Sequence, residues 1–178
     1  MGKLLTLLNP REARRYYDAG VWRDETFHAL LVRHAAERPD APALRDARVR
    51  LTWRELLAWV DTVAERLHSA GVRSGERVAV WLPSRVESVV ALLACARNGY
   101  VCTPSLHQNY TVAEIVMLLE RSRAAALIMQ PGYGADAQRQ DIVPAARALA
   151  SMKAVYAVGG VHADAEPFPA ADPGVRPS

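Results

Sequence analysis

The apolar positions of this chain fall into two alternating patterns. One is a stripe at i, i+3, i+4 spacing, which one face of a helix produces; the other is a short unbroken run, which suits a strand covered on both faces. Arg11 to Ala19 is charged and amphipathic, with Gly20 as its stop. Thr26 to Glu37 places Phe27, Leu30, Leu31, His34 and Ala35 on one helical face, and Pro39 and Pro42 then break the pattern. Ala43 to Arg45 and Val49 to Leu51 flank a polar Asp46-Ala-Arg48 turn, which reads as a short hairpin. The clearest stripe follows: Trp53, Leu56, Leu57, Val60, Val63, Ala64 and Leu67 predict a helix from Trp53 to about Ala70, closed by Gly71 in the left-handed conformation.

From there strands and helices alternate. Val78 to Leu82 reads as a buried strand, about 85–98 as a helix stopped by Gly99, and Tyr100 to Thr103 as the next strand. The loop Pro104 to Tyr110 leads to a helix from Val112 to about Ser122, then to a strand from Ala124 to Met129. Pro131-Gly-Tyr-Gly134 turns the chain into a helix over roughly 139–150, with Pro144 in its first turn if Asp141 is the cap. Lys153 to Val158 reads as a last strand. This order predicts an α/β fold: a mainly parallel sheet with right-handed crossover helices, preceded by N-terminal helices and a short β-hairpin. Residues 159–178 differ, with Pro167, Pro169, Pro173 and Pro177 among Ala, Gly and Asp. The expected division is therefore a partial N-terminal α/β domain over 1–158 and a Pro/Ala-rich tail over 159–178, poorly ordered by itself or a truncated loop.

A local signal recurs at the helix starts. Thr52-Trp-Arg-Glu55, Ser84-Arg-Val-Glu87 and Thr111-Val-Ala-Glu114 each set a hydroxyl three residues before a glutamate. That spacing lets the hydroxyl accept from the third helical N–H while the carboxylate reaches back to the cap, so three capping boxes are expected.

Composition narrows the class. A chain of 178 residues with 51% hydrophobic and 23% charged residues has room for one real core. The net charge of +3 is scattered and interleaved with Asp and Glu, without a basic run of the kind that binds nucleic acid. No apolar run reaches the roughly 18 residues of a membrane span. Met1 to Asn9 holds a short apolar stretch without a convincing signal-peptide cleavage site. Cys95, in a helix, and Cys102, in a strand, read as small buried apolar residues rather than a disulfide framework or metal ligands, which fits a cytoplasmic protein.

Candidate chemistry is sparse. Gly132-Tyr-Gly-Ala-Asp-Ala137 matches G-x-G-x-x-A, but no acidic residue stands about 20 positions on, and a glycine turn is the better account. His28, His34, His68, His107 and His162 have no metal-ligand spacing, and only His107 falls in an expected strand-exit loop, where α/β sheets place ligands. No G-x-S-x-G elbow and no G-x-x-x-x-G-K-[ST] phosphate loop is present. Trp53 and Trp81 read as core or cover.

Several pieces follow one another in a familiar order: Asp40-Ala-Pro-Ala-Leu44, Leu51-Thr-Trp-Arg-Glu-Leu56, Gly71 to Val80, Leu82-Pro83 with Glu87, Ala91-Leu-Leu-Ala94, Gly99-Tyr-Val-Cys-Thr-Pro104 and Asn109-Tyr-Thr-Val-Ala-Glu114. Together, over about 11–160, they resemble the N-terminal region of the adenylate-forming ligases, which include the AMP-dependent acyl-CoA synthetases. Tyr16 to Thr26 looks like the lead-in of cyclohexanecarboxylate-CoA-ligase-like members, whereas His107 and Gln108 depart from the usual pattern before the Tyr-Thr step.

The resemblance implies a two-step ligase in which a carboxylic acid and ATP give an acyl-adenylate, and coenzyme A then takes the acyl group. Mg²⁺ is implied for the full-length family. So are a Ser/Thr/Gly-rich loop ending in Lys, an aromatic-Gly-x-Thr-Glu segment, a ribose-binding Asp and a catalytic Lys. None of these matches a stretch here, so no catalytic, cofactor-binding or metal residue is assigned, no cofactor is expected to be held by this chain, and the isolated chain is expected to be inactive. The expected partner is the remainder of the synthetase or a complementing chain, with no nucleic acid; a homodimer stays open. The alternatives are one half of a split ligase and a non-catalytic ligand- or partner-binding module of the same fold.

Overall fold

The computed structural model describes residues 9–104 and 107–170. The apolar start over 1–8, residues 105–106 of the loop before Tyr110, and the end of the Pro-rich segment over 171–178 lie outside the described residues.

Two helices, α1 (Pro10–Asp18) and α2 (Phe27–Glu37), lead into a two-stranded antiparallel hairpin, β1 (Pro42–Arg45) and β2 (Arg50–Thr52). The long helix α3 (Trp53–Ser69) begins at once, with Thr52 as its cap and both arms of the capping box formed with Glu55. Then come β3 (Arg77–Trp81), α4 (Val86–Asn98), β4 (Val101–Thr103), α5 (Val112–Ser122), β5 (Ala124–Met129), α6 (Val143–Arg147), β6 (Ala154–Ala157) and β7 (Glu166–Pro167). The last five strands form one parallel sheet in the order β4-β3-β5-β6-β7.

The pleat divides the core into two layers. In β3, Val78 and Val80 belong to one cluster and Ala79 and Trp81 to the other; in β6, Ala154 and Tyr156 are split from Val155 and Ala157 in the same way. The first cluster is covered by α2, α3 and α4, the second by α5 and α6. Helices on both faces explain why these strands read as unbroken apolar runs. The connection from β3 to β4 runs through α4 on one face, and the return to β5 runs through α5 on the other. The chain therefore reverses direction in the sheet between β3 and β5.

Three local expectations changed. First, Ser84 does not cap α4. Arg85 occupies the cap position, with no side-chain cap bond, and the helix starts one residue later than the box requires. The Glu87 carboxylate is held instead by Arg85, and the Val86 N–H donates to Asp46 Oδ2 at 3.3 Å from the hairpin turn. Second, the helix expected over 139–150 is only Val143–Arg147. Asp136 ahead of it is engaged by the Val112 N–H at 2.7 Å, which folds the intervening segment into turns. Asp141 does supply the acceptor for the Val143 N–H at 3.0 Å, and Pro144 stands in the first turn. Third, β6 is not the last strand. Glu166 and Pro167 pair with Tyr156 and Ala157, and Phe168 packs edge-on against Trp59, whose indole N–H donates to the Pro169 carbonyl at 2.6 Å.

Candidate functional site: the crevice where the sheet reverses

In an open parallel sheet, a crevice forms at the carboxyl ends of two neighbouring strands whose connections leave in opposite directions. Here those strands are β3 and β5. Trp81 ends the first and Met129 the second, and both line a cavity of about 270 Å³ with Gln130, Gly132, Asp141, Ile142 and His162. Trp81 is 1% exposed, so it forms the floor. Its indole N–H donates to the His107 carbonyl at 3.2 Å, which ties the loop after β4 to the crevice. A Cβ on Gly134 would stand 2.5 Å from Cζ2 of Trp81, so the backbone there comes down onto the indole only because no side chain intervenes.

Behind the crevice lies a buried ion pair. The Arg85 and Glu87 side chains are 8% and 9% exposed. Arg85 Nε donates to Glu87 Oε2 at 3.0 Å, and Nη1 donates to Gln130 Oε1 at 2.6 Å, joining the loop after β3 to the loop after β5. A Cβ on Gly159 would meet Nη1 at 2.6 Å, so the bare glycine after β6 leaves the guanidinium its place. Arg48 adds a second cation 3.7 Å from Glu87. Burial pushes the Glu87 carboxyl up, but the hydrogen bond from Arg85, a backbone N–H and the charges of Arg85 and Arg48 outweigh it. The group sits below its ordinary value. Asp46 is also held low, chiefly by the backbone N–H groups of Arg48 and Val49 that it accepts from, against a smaller burial effect.

His162 closes the other side. Its Nδ1 accepts from the Asp164 N–H at 3.1 Å, which fixes the neutral tautomer as Nε2–H, and Nε2 faces Asp141 Oδ1 at 3.1 Å. Both ring nitrogens are engaged, so His162 positions the loop after β6 against the start of α6 and has no nitrogen free to accept a proton from a substrate.

The residues singled out from sequence are brought partly together. Gly132, Ala137 and the backbone of His107 reach the crevice, but residues 135–140 form turns rather than a helix, so the glycine motif presents no helix N-terminus to a phosphate. The His107 ring stacks on Tyr110 with centroids 6.2 Å apart. His34 packs at a tilt against Trp53, and His28 faces Asp61 across α2 and α3 at 3.7 Å. Arg85 and Gln130 were not singled out from the sequence, and His162 was weighed there only as a metal ligand. A polar residue at a strand exit is the signal that finds Gln130, whereas His162 needs β7 to be known. Among the described residues, no group of three or more His, Cys, Asp or Glu converges as a metal site. Among the described residues, the polar side chains lining the crevice are Gln130, Gln138, Gln140, the exposed Arg139, and the Asp141–His162 pair. Amides, a guanidinium and a carboxylate paired with an imidazole can receive a polar ligand and orient it.

A doubly covered parallel sheet with an open crevice at its reversal is common to many ligand-binding α/β folds, and comparison with known proteins says which family this chain is from. The family model described as AMP-binding enzyme matches residues 31–175, so the chain belongs to that family. It is similar to the 2-hydroxy-7-methoxy-5-methyl-1-naphthoate–CoA ligase of Streptomyces carzinostaticus, 36% identical over 121 residues, which cover 68% of this chain and 22% of that protein. It is also 38% identical over 91 residues to a salicylyl-CoA synthase / salicylate adenylyltransferase of a Streptomyces species, covering 51% of this chain and 16% of that one. Among solved structures, apo MbtA of Mycobacterium smegmatis superimposes with a TM-score of 0.75 at 31% identity, over 92% of this chain and 30% of that chain. The chain thus spans less than a third of the length of these relatives. Among the described residues, no helix is long and apolar enough to cross a membrane.

Proposed function

We propose that this chain is the N-terminal part of an AMP-forming acyl-CoA synthetase and that its partner is the remainder of that enzyme, on the same chain or a complementing one. The whole enzyme joins a carboxylic acid to coenzyme A through an acyl-adenylate formed from ATP, with Mg²⁺ offsetting the phosphate charge, and works in the cytoplasm. The observation that carries this reading is the family match over residues 31–175 on a chain spanning only 22% of a ligase it matches. Exposed apolar side chains add support: Trp22, Phe27, Val101 and Met117 are 40–65% exposed, as expected of surfaces that meet further protein.

Alone, the chain is a scaffold. It builds the crevice floor and one wall, and the groups that hold a triphosphate in line for attack come from the remainder of the enzyme; positioning with preorganised charge is what this chemistry depends on. The test is pyrophosphate release by the purified chain with ATP, Mg²⁺ and a carboxylate panel led by hydroxylated aryl acids, the substrates named for two of the relatives. Release at background for every acid is expected. Release above background with any of them overturns the scaffold reading.

A further inference from the structure

The segment before α2 packs on neither layer of the core. Among the described residues, no side chain from 9–27 belongs to either hydrophobic cluster, and Ala13 is the buried residue of α1. The segment is ordered through its own bonds instead. Asn9 Oδ1 accepts from the Arg11 N–H at 3.0 Å and caps α1. Past Gly20 the chain turns back, and the Val21 and Trp22 N–H groups both donate to the Tyr16 carbonyl, at 3.0 and 3.1 Å. This return lays the Trp22 indole against two tyrosines, tilted on Tyr16 with centroids 5.1 Å apart and edge-on to Tyr17 at 5.8 Å.

Helical spacing sorts α1 into two faces. Ala13, Tyr16 and Tyr17 share one, and Arg11, Arg14 and Arg15 share the other. With Val21, Trp22 and Phe27 following, five large apolar side chains stand 39–67% exposed within residues 16–27. On the basic face Arg15 reaches Glu12 at 3.9 Å, whereas the side chains of Arg11 and Arg14 have no hydrogen bond or ion pair among the described residues. Tyr, Trp and Arg are the side chains that anchor protein interfaces, and rings already packed on one another lose little freedom on docking.

We propose that residues 10–27 are the arm by which this chain grips the remainder of the synthetase: the aromatic face fills an apolar recess there, and Arg11 and Arg14 meet carboxylates at its rim. This rests on the reading of the chain as part of a larger ligase. Two observations choose that occupant. The superposition on apo MbtA takes in 92% of this chain, more than residues 28–178 make up, so it includes part of the arm, within a chain of which the match is only 30%. Residues 10–27 also hold four Arg against four Asp or Glu, so the arm lacks the net positive charge that draws a helix to an anionic membrane.

The experiment labels exposed side chains with hydroxyl radicals and reads their oxidation by mass, in the purified chain and in the enzyme isolated from source cells that contains it. Tyr16, Tyr17 and Trp22 are expected to lose about fivefold or more of their labelling in the enzyme, as rings do on entering the dry core of an interface. Arg14→Glu in the enzyme should raise the labelling of the three rings about threefold, while the unfolding midpoint of the chain alone stays unchanged. Rings labelled equally in chain and enzyme overturn the proposal and leave the synthetase reading standing, whereas a native product with no further sequence and no companion chain overturns both. Rings protected instead by anionic vesicles, or by raising the concentration of the chain alone, assign the arm to a membrane or to a second copy and likewise overturn it. An Arg14→Glu enzyme whose rings stay protected overturns the charged rim.

Discussion

Replacing Arg85 by Met removes the cation that makes a buried carboxylate tolerable at Glu87. At an effective dielectric of about 20, a charge pair at the 3.0 Å separation of Arg85 Nε and Glu87 Oε2 is worth about 5 kcal/mol before desolvation. Arg48, at 3.7 Å, keeps part of that attraction, but its side chain is 51% exposed and solvent screens it. The hydrogen bond to Gln130 is lost as well. Removing one partner of a buried pair costs about 3–5 kcal/mol, because the other is left uncompensated. For a domain of this size that corresponds to a fall in Tm of about 10 °C. Circular dichroism during thermal and urea unfolding at pH 7 reads it directly. The pH dependence has a definite sign. Glu87 has its folded pKa below the ordinary 4.5, so its contribution is complete above the unfolded value and is lost as pH falls through the folded one. The gap between wild type and Arg85→Met should accordingly narrow as pH is lowered through that window. The double variant Arg85→Met/Glu87→Gln should recover a large part of the loss. A single-variant cost under about 1 kcal/mol, or a double variant no more stable than the single, refutes the reasoning.

Thr52→Ala removes a formed capping box and should cost about 1 kcal/mol in urea unfolding, whereas Ser84→Ala, at an exposed hydroxyl outside any cap, should stay within about 0.5 kcal/mol. Gly134→Ala drives a Cβ to within 2.5 Å of the Trp81 ring at a φ of +149°, and should lower stability by about 1–3 kcal/mol with a shifted tryptophan fluorescence maximum; unchanged stability and emission would contradict the close approach.

Comparing Thr52 with Ser84 shows where sequence reasoning stops. Both head a hydroxyl-x-x-Glu tetrapeptide, and Thr111 heads a third. The boxes at Thr52 and Thr111 form where, among the described residues, no cation pairs with Glu55 or Glu114, whose carboxyls the cap's own N–H and hydroxyl groups hold low. At Ser84 the carboxylate is captured by Arg85, which itself reaches 45 residues along the chain to Gln130. A local rule holds until a distant partner binds one of its members more strongly.

The sequence by itself determined the elements whose signal is carried within one helix or strand. These are the apolar face of α3, the left-handed stop at Gly99, the unbroken runs of β3 and β5, and the ordered set of short motifs that marks the family. Each depends on neighbours a few residues away, and periodicity records such neighbours. Only the tertiary structure decided the rest. The order β4-β3-β5-β6-β7 places the reversal, and so the crevice, between strands separated in the chain by a helix on each face. The two-residue strand β7 has no periodicity to read and exists because Tyr156 and Ala157 offer it a paired edge while Trp59 and Phe168 hold its exit. His162 becomes a wall of the crevice through its contacts with Asp141 and the Asp164 N–H, in the loop that leads to that strand. Long-range hydrogen bonds and ion pairs set these positions, and their partners meet only when the sheet has closed.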